Sequence, residues 1–415
     1  MEISRPRYLD RLIRLRFKGG VKIITGMRRS GKSYLLFNLF KDYLLSIDVP
    51  DRNIICIALD SVENAHLRDA VALYEQVSSL ITDDSEYYIL LDEIQLVEGF
   101  EEVVNSLKRR RNVDVYITGS NSKFLSSDIV TEFRGRGTEI NVRPLSFSEY
   151  LPYSGKDERT AWYDYLTYGG LPESIDLETE DRMAYLSELI DVVYMRDIIE
   201  RKRIRMPDVM DSVFSVLSSA IGSLTNPNRL TDTLRSHHVD VAGTTVSEYI
   251  DHLKDSFLFE ESKRFDLKGR AYFDTPSKYY ATDLGLRNAK LGFRQTEFNH
   301  LMENAIYNEL RYRGYSVDVG IIGFREYIEG KREYRQLEID FVANKGSERY
   351  YIQSAYRIDD DSKRKQEVRP FLKMNDGFRK IIIVDGDAPK TIDEDGVVTM
   401  NVIEFMKDPE SLNRI

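Results

Sequence analysis

Cysteine is almost missing: Cys56 stands alone in 415 residues, so the chain can close no internal disulfide and build no four-cysteine zinc site. It lies in the apolar run Asn53-Ile-Ile-Cys-Ile-Ala-Leu-Asp60, where the expectation is a small buried core residue. Histidine is scarce as well, with five scattered copies, which argues against a structural metal. No apolar run approaches the roughly 18–20 residues that cross a bilayer. The stretch Met1–Asp10 lacks the apolar centre of a signal peptide. A cytoplasmic chain without a membrane partner is expected. The net charge of −10 speaks against a nucleic-acid coat but leaves room for one basic face, because binding follows the local field. Apolar residues make up 42%, enough for real cores, and the length suggests about two to four domains.

Up to about residue 145, short apolar runs alternate with helical stretches. The strand candidates are Val21–Thr25, Asn53–Leu59, Tyr87–Leu91, Val113–Thr118 and Glu139–Val142, and Ser33–Leu45 has helical spacing. Such alternation predicts an α/β parallel sheet wrapped by helices. Pro144 and Tyr150–Asp157 mark a change of character. From Ala161 to about Asn288 the pattern reads as mostly helical, ending in Lys278-Tyr-Tyr-Ala-Thr-Asp-Leu-Gly285. Within it, Thr244–Leu258 reads as one amphipathic helix with Val246, Tyr249, Ile250 and Leu253 on one face. A polar stretch, Lys263–Gly269, and the strand-like Ala271–Asp274 follow. Helices and then a two-stranded wing describe a winged helix. From Phe298 onward the composition turns to mixed α/β, with strands expected at Leu337–Val342, Tyr350–Ile352 and Lys380–Val384.

Gly26-Met-Arg-Arg-Ser-Gly-Lys-Ser33 matches the P-loop pattern, between a strand and a helical run. Glycines let successive N–H groups turn toward phosphate oxygens, and the following helix adds its positive end. The cradle comprises Gly26, Met27, Arg28, Arg29, Ser30, Gly31, Lys32, Ser33 and Tyr34. Lys32 would reach the β- and γ-phosphates of ATP, and Ser33 would ligate Mg2+. The strand Tyr87–Leu91 delivers a second motif, Asp92-Glu93, at its C-terminal end, where open α/β sheets bind ligands. Asp92 is the candidate Mg2+ ligand, and Glu93 the group that polarises the attacking water. A third strand ends in Thr118-Gly-Ser-Asn121, where Ser120 or Asn121 could touch the γ-phosphate or the water, or merely cap a turn.

These residues resemble the AAA-type ATPases. More closely, the chain resembles prokaryotic AAA ATP-binding proteins whose C-terminal domain has no assigned function. The likeness includes Leu90-Leu-Asp-Glu-Ile-Gln95, Phe133-Arg-Gly-Arg136, Pro144-Leu-Ser-Phe-Ser-Glu149, Tyr168-Gly-Gly-Leu-Pro-Glu173, Tyr194-Met-Arg-Asp-Ile-Ile199 and Lys278–Leu286. It implies a homo-oligomer, a ring with the hexamer among its candidates, in which Arg134 or Arg136 completes a neighbour's site; either could equally be a surface arginine in a salt bridge. The C-terminal segment resembles the nuclease fold that carries an acidic residue and then a Glu-x-Lys pair. Glu303 lies on the helix candidate His300–Leu310, and Asp340 ends a strand. Gln353 and Ala355 stand where that pattern has Glu and Lys. Glutamine is the poorer metal ligand and alanine orients no water, so an inactive domain is expected. The implied division is an ATPase domain over 1–150, a helical lid or linker over 151–205, a winged helix over 206–296 and a nuclease-like α/β domain over 297–415.

DNA is the expected partner. The helix opening with Thr244, Thr245 and Ser247 would enter a groove. Basic residues lie nearby at Lys263, Arg264, Lys268 and Arg270, and earlier at Arg196, Arg201, Lys202, Arg203 and Arg205. The acidic neighbours Asp251, Asp255, Glu260 and Glu261 oppose that field. Three readings stand: a DNA-dependent motor or remodeller with branched or junction DNA among its candidate substrates, an ATP-set oligomeric switch, and an ATP-gated nuclease.

Overall fold

A computed structural model describes residues 2–119, 137–328, 331–386 and 389–414. The chain forms two compact units. One runs to Pro144 and includes the short stretch Asp255–Phe257, and the other comprises Leu145–Lys254 and Leu258 onward.

The first unit holds five strands: β1 (Val21–Thr25), β2 (Ile54–Ala58), β3 (Tyr87–Asp92), β4 (Val113–Thr118) and β5 (Gly137–Asn141). All pair in parallel, in the order β2-β3-β4-β1-β5. Every residue of β1, β3 and β4 is buried, as continuous apolar strands are when helices cover both faces. On one side Leu73 and Val77 of the helix Ala70–Leu80 and Val103, Val104 and Leu107 of the helix Phe100–Lys108 pack on Ile55, Ile57, Ile89, Leu91, Val115 and Ile117. The run after the glycine-rich loop is helical from Lys32 to Ser46, with a wider π stretch at Leu35–Phe40. Cys56 corrects the expectation of a core residue, for its side chain is exposed. It sits on β2 at the sheet's edge, and strand alternation turns it away from the face where Ile55 and Ile57 are buried.

In the second unit the helices Phe147–Ser154 and Glu158–Tyr168 and a long helical stretch over 179–202 come first. Ser146 and Glu149 close a capping box at the start of the first. A winged helix follows, with helices Pro207–Ser219, Pro227–Ser236 and Gly243–Asp255 and the wing strands β6 (Phe259–Asp266) and β7 (Ala271–Ala281). Thr225 adds a one-residue bridge to Ser277, with N–H···O distances of 2.9 and 3.0 Å. Two expectations are corrected here. Lys263–Asp266 belongs to β6 rather than to a loop, and Lys278–Ala281 ends a strand rather than a helical stretch. Pairing with β6 and burial of Tyr279 and Tyr280 override the local pattern.

The wing strands are continuous with the C-terminal sheet. β6 pairs in parallel with β8 (Ser316–Ile328), so one eight-stranded sheet runs through both segments. β8 and β9 (Lys331–Lys345) form a long hairpin, and β10 (Glu348–Ala355) lies antiparallel to β9. The helix Asp361–Val368 then crosses to β11 (Arg379–Val384), parallel to β10. β12 (Thr391–Ile392) and β13 (Val397–Asn401) finish the edge, and the helix Phe298–Tyr312 precedes β8. Among the described residues no helix is long and apolar enough to cross a membrane.

Candidate nucleotide site

β4 separates β1 from β3, so the acidic pair is not on the strand next to the glycine-rich loop. The C-terminal ends of three parallel strands therefore meet: Thr25 before the loop, Thr118 in the middle, Asp92 beyond. The loop is shaped by its glycines. Gly26 has φ +138°, and a Cβ there would lie 2.1 Å from the Val142 carbonyl oxygen. Gly31 and the non-glycine Arg29 are also left-handed, at φ 89° and 64°. Arg5 fastens the loop from below, donating from Nη1 to the Ser30 oxygen at 3.0 Å and from Nη2 to the Arg143 oxygen at 2.7 Å. The buried Ser30 hydroxyl has no hydrogen-bond partner among the described residues.

Lys32 is buried, and its ammonium folds back onto the loop, 3.1 Å from the Gly26 oxygen and 2.9 Å from that of Met27. Burial pushes its pKa down to about 8 against the pull of Glu93 and Asp92, with Arg28 adding to the fall. Those carbonyls satisfy the ammonium where phosphate oxygens would. Ser33, exposed on the first helical turn, hydrogen-bonds the Asp92 carboxylate.

Asp92 is buried at the end of β3. Burial raises its pKa; hydrogen bonds from Thr118 and Ser33 oppose that, and the Glu93 charge reinforces it. The Thr118 hydroxyl donates to Asp92 Oδ1 and accepts from the Glu93 amide at 3.0 Å. Glu93 itself is left-handed, at φ 52°, a conformation that costs a non-glycine residue about 1–3 kcal/mol and is retained where a side chain must be aimed. Its carboxylate takes a hydrogen bond from the Gln95 amide. A loop ammonium, a glycine-walled cradle, and a hydroxyl beside a carboxylate form a donor set that fits nucleotide phosphates and a small hard cation.

Lys32, Ser33, Asp92 and Glu93 thus lie together, with Met27, Arg28, Arg29, Ser30 and Tyr34 along the same loop and helix start. Ser120, Asn121, Arg134 and Arg136 lie outside the described residues. Thr118, Gln95 and Arg5 were not singled out from sequence. Thr118 had a signal, as the polar end of a buried strand, and Gln95 lies two residues after Glu93. Arg5 had none, being 25 residues from the carbonyl it holds.

Residues 18–151 match the model of an AAA domain family, and residues 159–297 that of a domain of unknown function. An uncharacterized protein of Haemophilus influenzae is 33% identical over 410 residues, covering 97% of this chain and 98% of its own length. An uncharacterized protein of Methanocaldococcus jannaschii is 26% identical over 411 residues, with coverage of 93% and 87%. The solved Walker-type ATPase of Pyrococcus abyssi superposes with a TM-score of 0.50 at 15% identity, covering 70% of this chain and 96% of that one, a likeness of fold alone. With its P-loop sheet and full-length likeness to the Haemophilus protein, the chain belongs to the AAA-type P-loop ATPases.

Proposed function

We propose that this protein binds ATP with Mg2+ at Gly26–Tyr34 and hydrolyses it, working as an oligomer whose winged helix engages DNA. The observation that carries the reading is the meeting of Lys32, the Ser33–Asp92 pair and Glu93 at the C-terminal ends of β1 and β3, with Thr118 of β4 between them. Ser33 and Asp92 would hold Mg2+, which supplies charge neutralisation of the phosphates when bound. Lys32 exchanges its loop carbonyls for β- and γ-phosphate oxygens. Glu93, held by Gln95 and the Thr118 hydroxyl, polarises the attacking water, since phosphoryl transfer needs mainly positioning and charge. Ser120 and Asn121 are the candidates to orient that water, and Arg134 or Arg136 to reach a neighbouring subunit's γ-phosphate.

For DNA, the helix Gly243–Asp255 opens with exposed Thr244, and Lys263, Lys268 and Arg270 are exposed on the wing. The earlier basic run contributes less, because Arg201 pairs with Asp197 at 2.9 Å and Arg196 with Glu200 at 2.8 Å.

The test is ATP turnover by the wild type and Glu93→Gln with single-stranded, duplex and four-way-junction DNA, alongside light scattering with and without ATP. The expected outcome is turnover that falls by on the order of 10²-fold or more in Glu93→Gln, rises with one DNA form, and accompanies ATP-dependent assembly. Turnover indifferent to every DNA would give the ATP-set oligomeric switch instead. A wild type that hydrolyses no ATP would end the ATPase reading.

A further inference from the structure

The second unit gathers three carboxylates around one lysine. Glu338 and Asp340 are two apart on β9 and so share a face. Glu303 comes from the helix Phe298–Tyr312, and Lys278 from the wing strand β7. Lys278 Nζ lies 2.8 Å from Glu303, 2.9 Å from Glu338 and 3.3 Å from Asp340. Its side chain is only 4% exposed. Tyr280, on the same face of β7, donates to Glu303 Oε1 at 2.8 Å. Gly222, in the turn after the first winged-helix helix, closes the other side: a Cβ there would meet the Glu303 carboxylate at 3.2 Å. Next to Glu303, the Asn304 amide pairs with both the N–H and the carbonyl of Ala281, at 2.8 Å each.

The remaining residues do not fit a metal-dependent cutting site. Gln353 accepts from the Asp340 amide at 2.7 Å, while the Ser354 amide donates to Asp340 Oδ2 at 2.9 Å. Ala355 is packed among Phe371, Ile382 and Val384. Among the described residues no group of three or more histidine, cysteine, aspartate or glutamate side chains is arranged to hold a metal ion.

We infer that Lys278 is a built-in cation, whose ammonium takes the place among Glu303, Glu338 and Asp340 that a divalent ion would need and so clasps the wing to the C-terminal helix and sheet. One ammonium against three carboxylates leaves negative charge in surplus. In keeping with that, burial pushes Glu303 up to about 7, and Lys278, although burial works against it, is held well above its ordinary value by Glu303 foremost. The clasp also explains why the stretch Lys278-Tyr-Tyr-Ala281 is strand: its alternate side chains must reach the carboxylates.

The experiment is thermal unfolding of the full chain, without nucleotide, for the wild type, Lys278→Met and Lys278→Met/Glu303→Gln, each with and without millimolar Mn2+. Lys278→Met is expected to melt lower than the wild type and to be restored by Mn2+ but not by potassium chloride of equal ionic strength. The wild type's own midpoint is expected to ignore the metal. The double variant is expected to melt higher than the single without metal and to lose the Mn2+ response. If Lys278→Met does not fold, the double variant is expected to fold, because the uncompensated charge is smaller. A single variant that melts like the wild type, one that Mn2+ does not restore, or a double variant no more stable than the single would each overturn the inference. So would Mn2+- or Mg2+-dependent DNA cleavage by the wild type that Asp340→Asn abolishes.

Discussion

The Lys32 ammonium rests on the Gly26 and Met27 carbonyls, and burial holds its pKa near 8. The sign of the consequence follows from proton counting. Between about 8 and the ordinary 10.5 the folded chain binds fewer protons at Lys32 than the unfolded chain, so the nucleotide-free protein gains stability as pH rises through that window. Nucleotide binding runs the other way, because phosphate oxygens require the charged form. Above pH 8, binding must take up a proton, and affinity is expected to fall by up to about tenfold per pH unit. Calorimetric titration of ATP between pH 7 and 9.5, in buffers of different ionisation heat, reads both the slope and the proton uptake. An affinity flat across that range would place Lys32 away from the phosphates. Thr118 works at the same scale, one hydroxyl serving both Asp92 and the strained Glu93 backbone.

At the level of elements, the winged helix carries the DNA reading, and its wing is the part that can be tested without disturbing the core. Lys268 and Arg270 lie in the exposed turn between β6 and β7. Replacing both by alanine is expected to weaken binding to all DNA sequences alike and to lower the slope of log affinity against log salt by about 1 for each phosphate that the wing neutralises. Fluorescence anisotropy between about 50 and 200 mM salt measures that slope. Arg196→Ala, whose partner is Glu200 at 2.8 Å, is expected to leave it unchanged. If the wing substitutions leave the slope where it was, DNA does not touch the wing. The pairing of β6 with β8 gives the wing a second role, because the same strand that would face DNA belongs to the C-terminal sheet.

For the molecule as a whole, the two compact units each carry their own sheet and core. Two unfolding transitions are therefore expected in calorimetry. ATP with Mg2+ should raise the one belonging to the P-loop unit, by about 2.7 kcal/mol at a hundredfold excess over Kd, and leave the other in place. Lys32→Ala should abolish that shift. A single transition that ATP moves as a block would show that the units do not unfold separately.

The glycine-rich loop after β1, the acidic pair at the end of a strand, the parallel α/β sheet and the winged helix were all legible in the order of residues. Each depends on local spacing: consecutive N–H groups must surround a phosphate, and a strand must end where its carboxylate is needed. Residue order left open what depends on distant neighbours. Whether Cys56 was buried turned on β2 being an edge, and the role of Thr118 on β4 lying between β1 and β3. Arg5 found its carbonyl through packing across the unit. Lys278 read as part of a helical stretch until strand pairing placed its ammonium among three carboxylates from two other elements. The sequence by itself determined the family and the glycine-rich loop that marks it, because that motif is held by contiguous backbone. Only the tertiary structure decided which charges meet, because burial and strand order bring together groups that the chain keeps far apart.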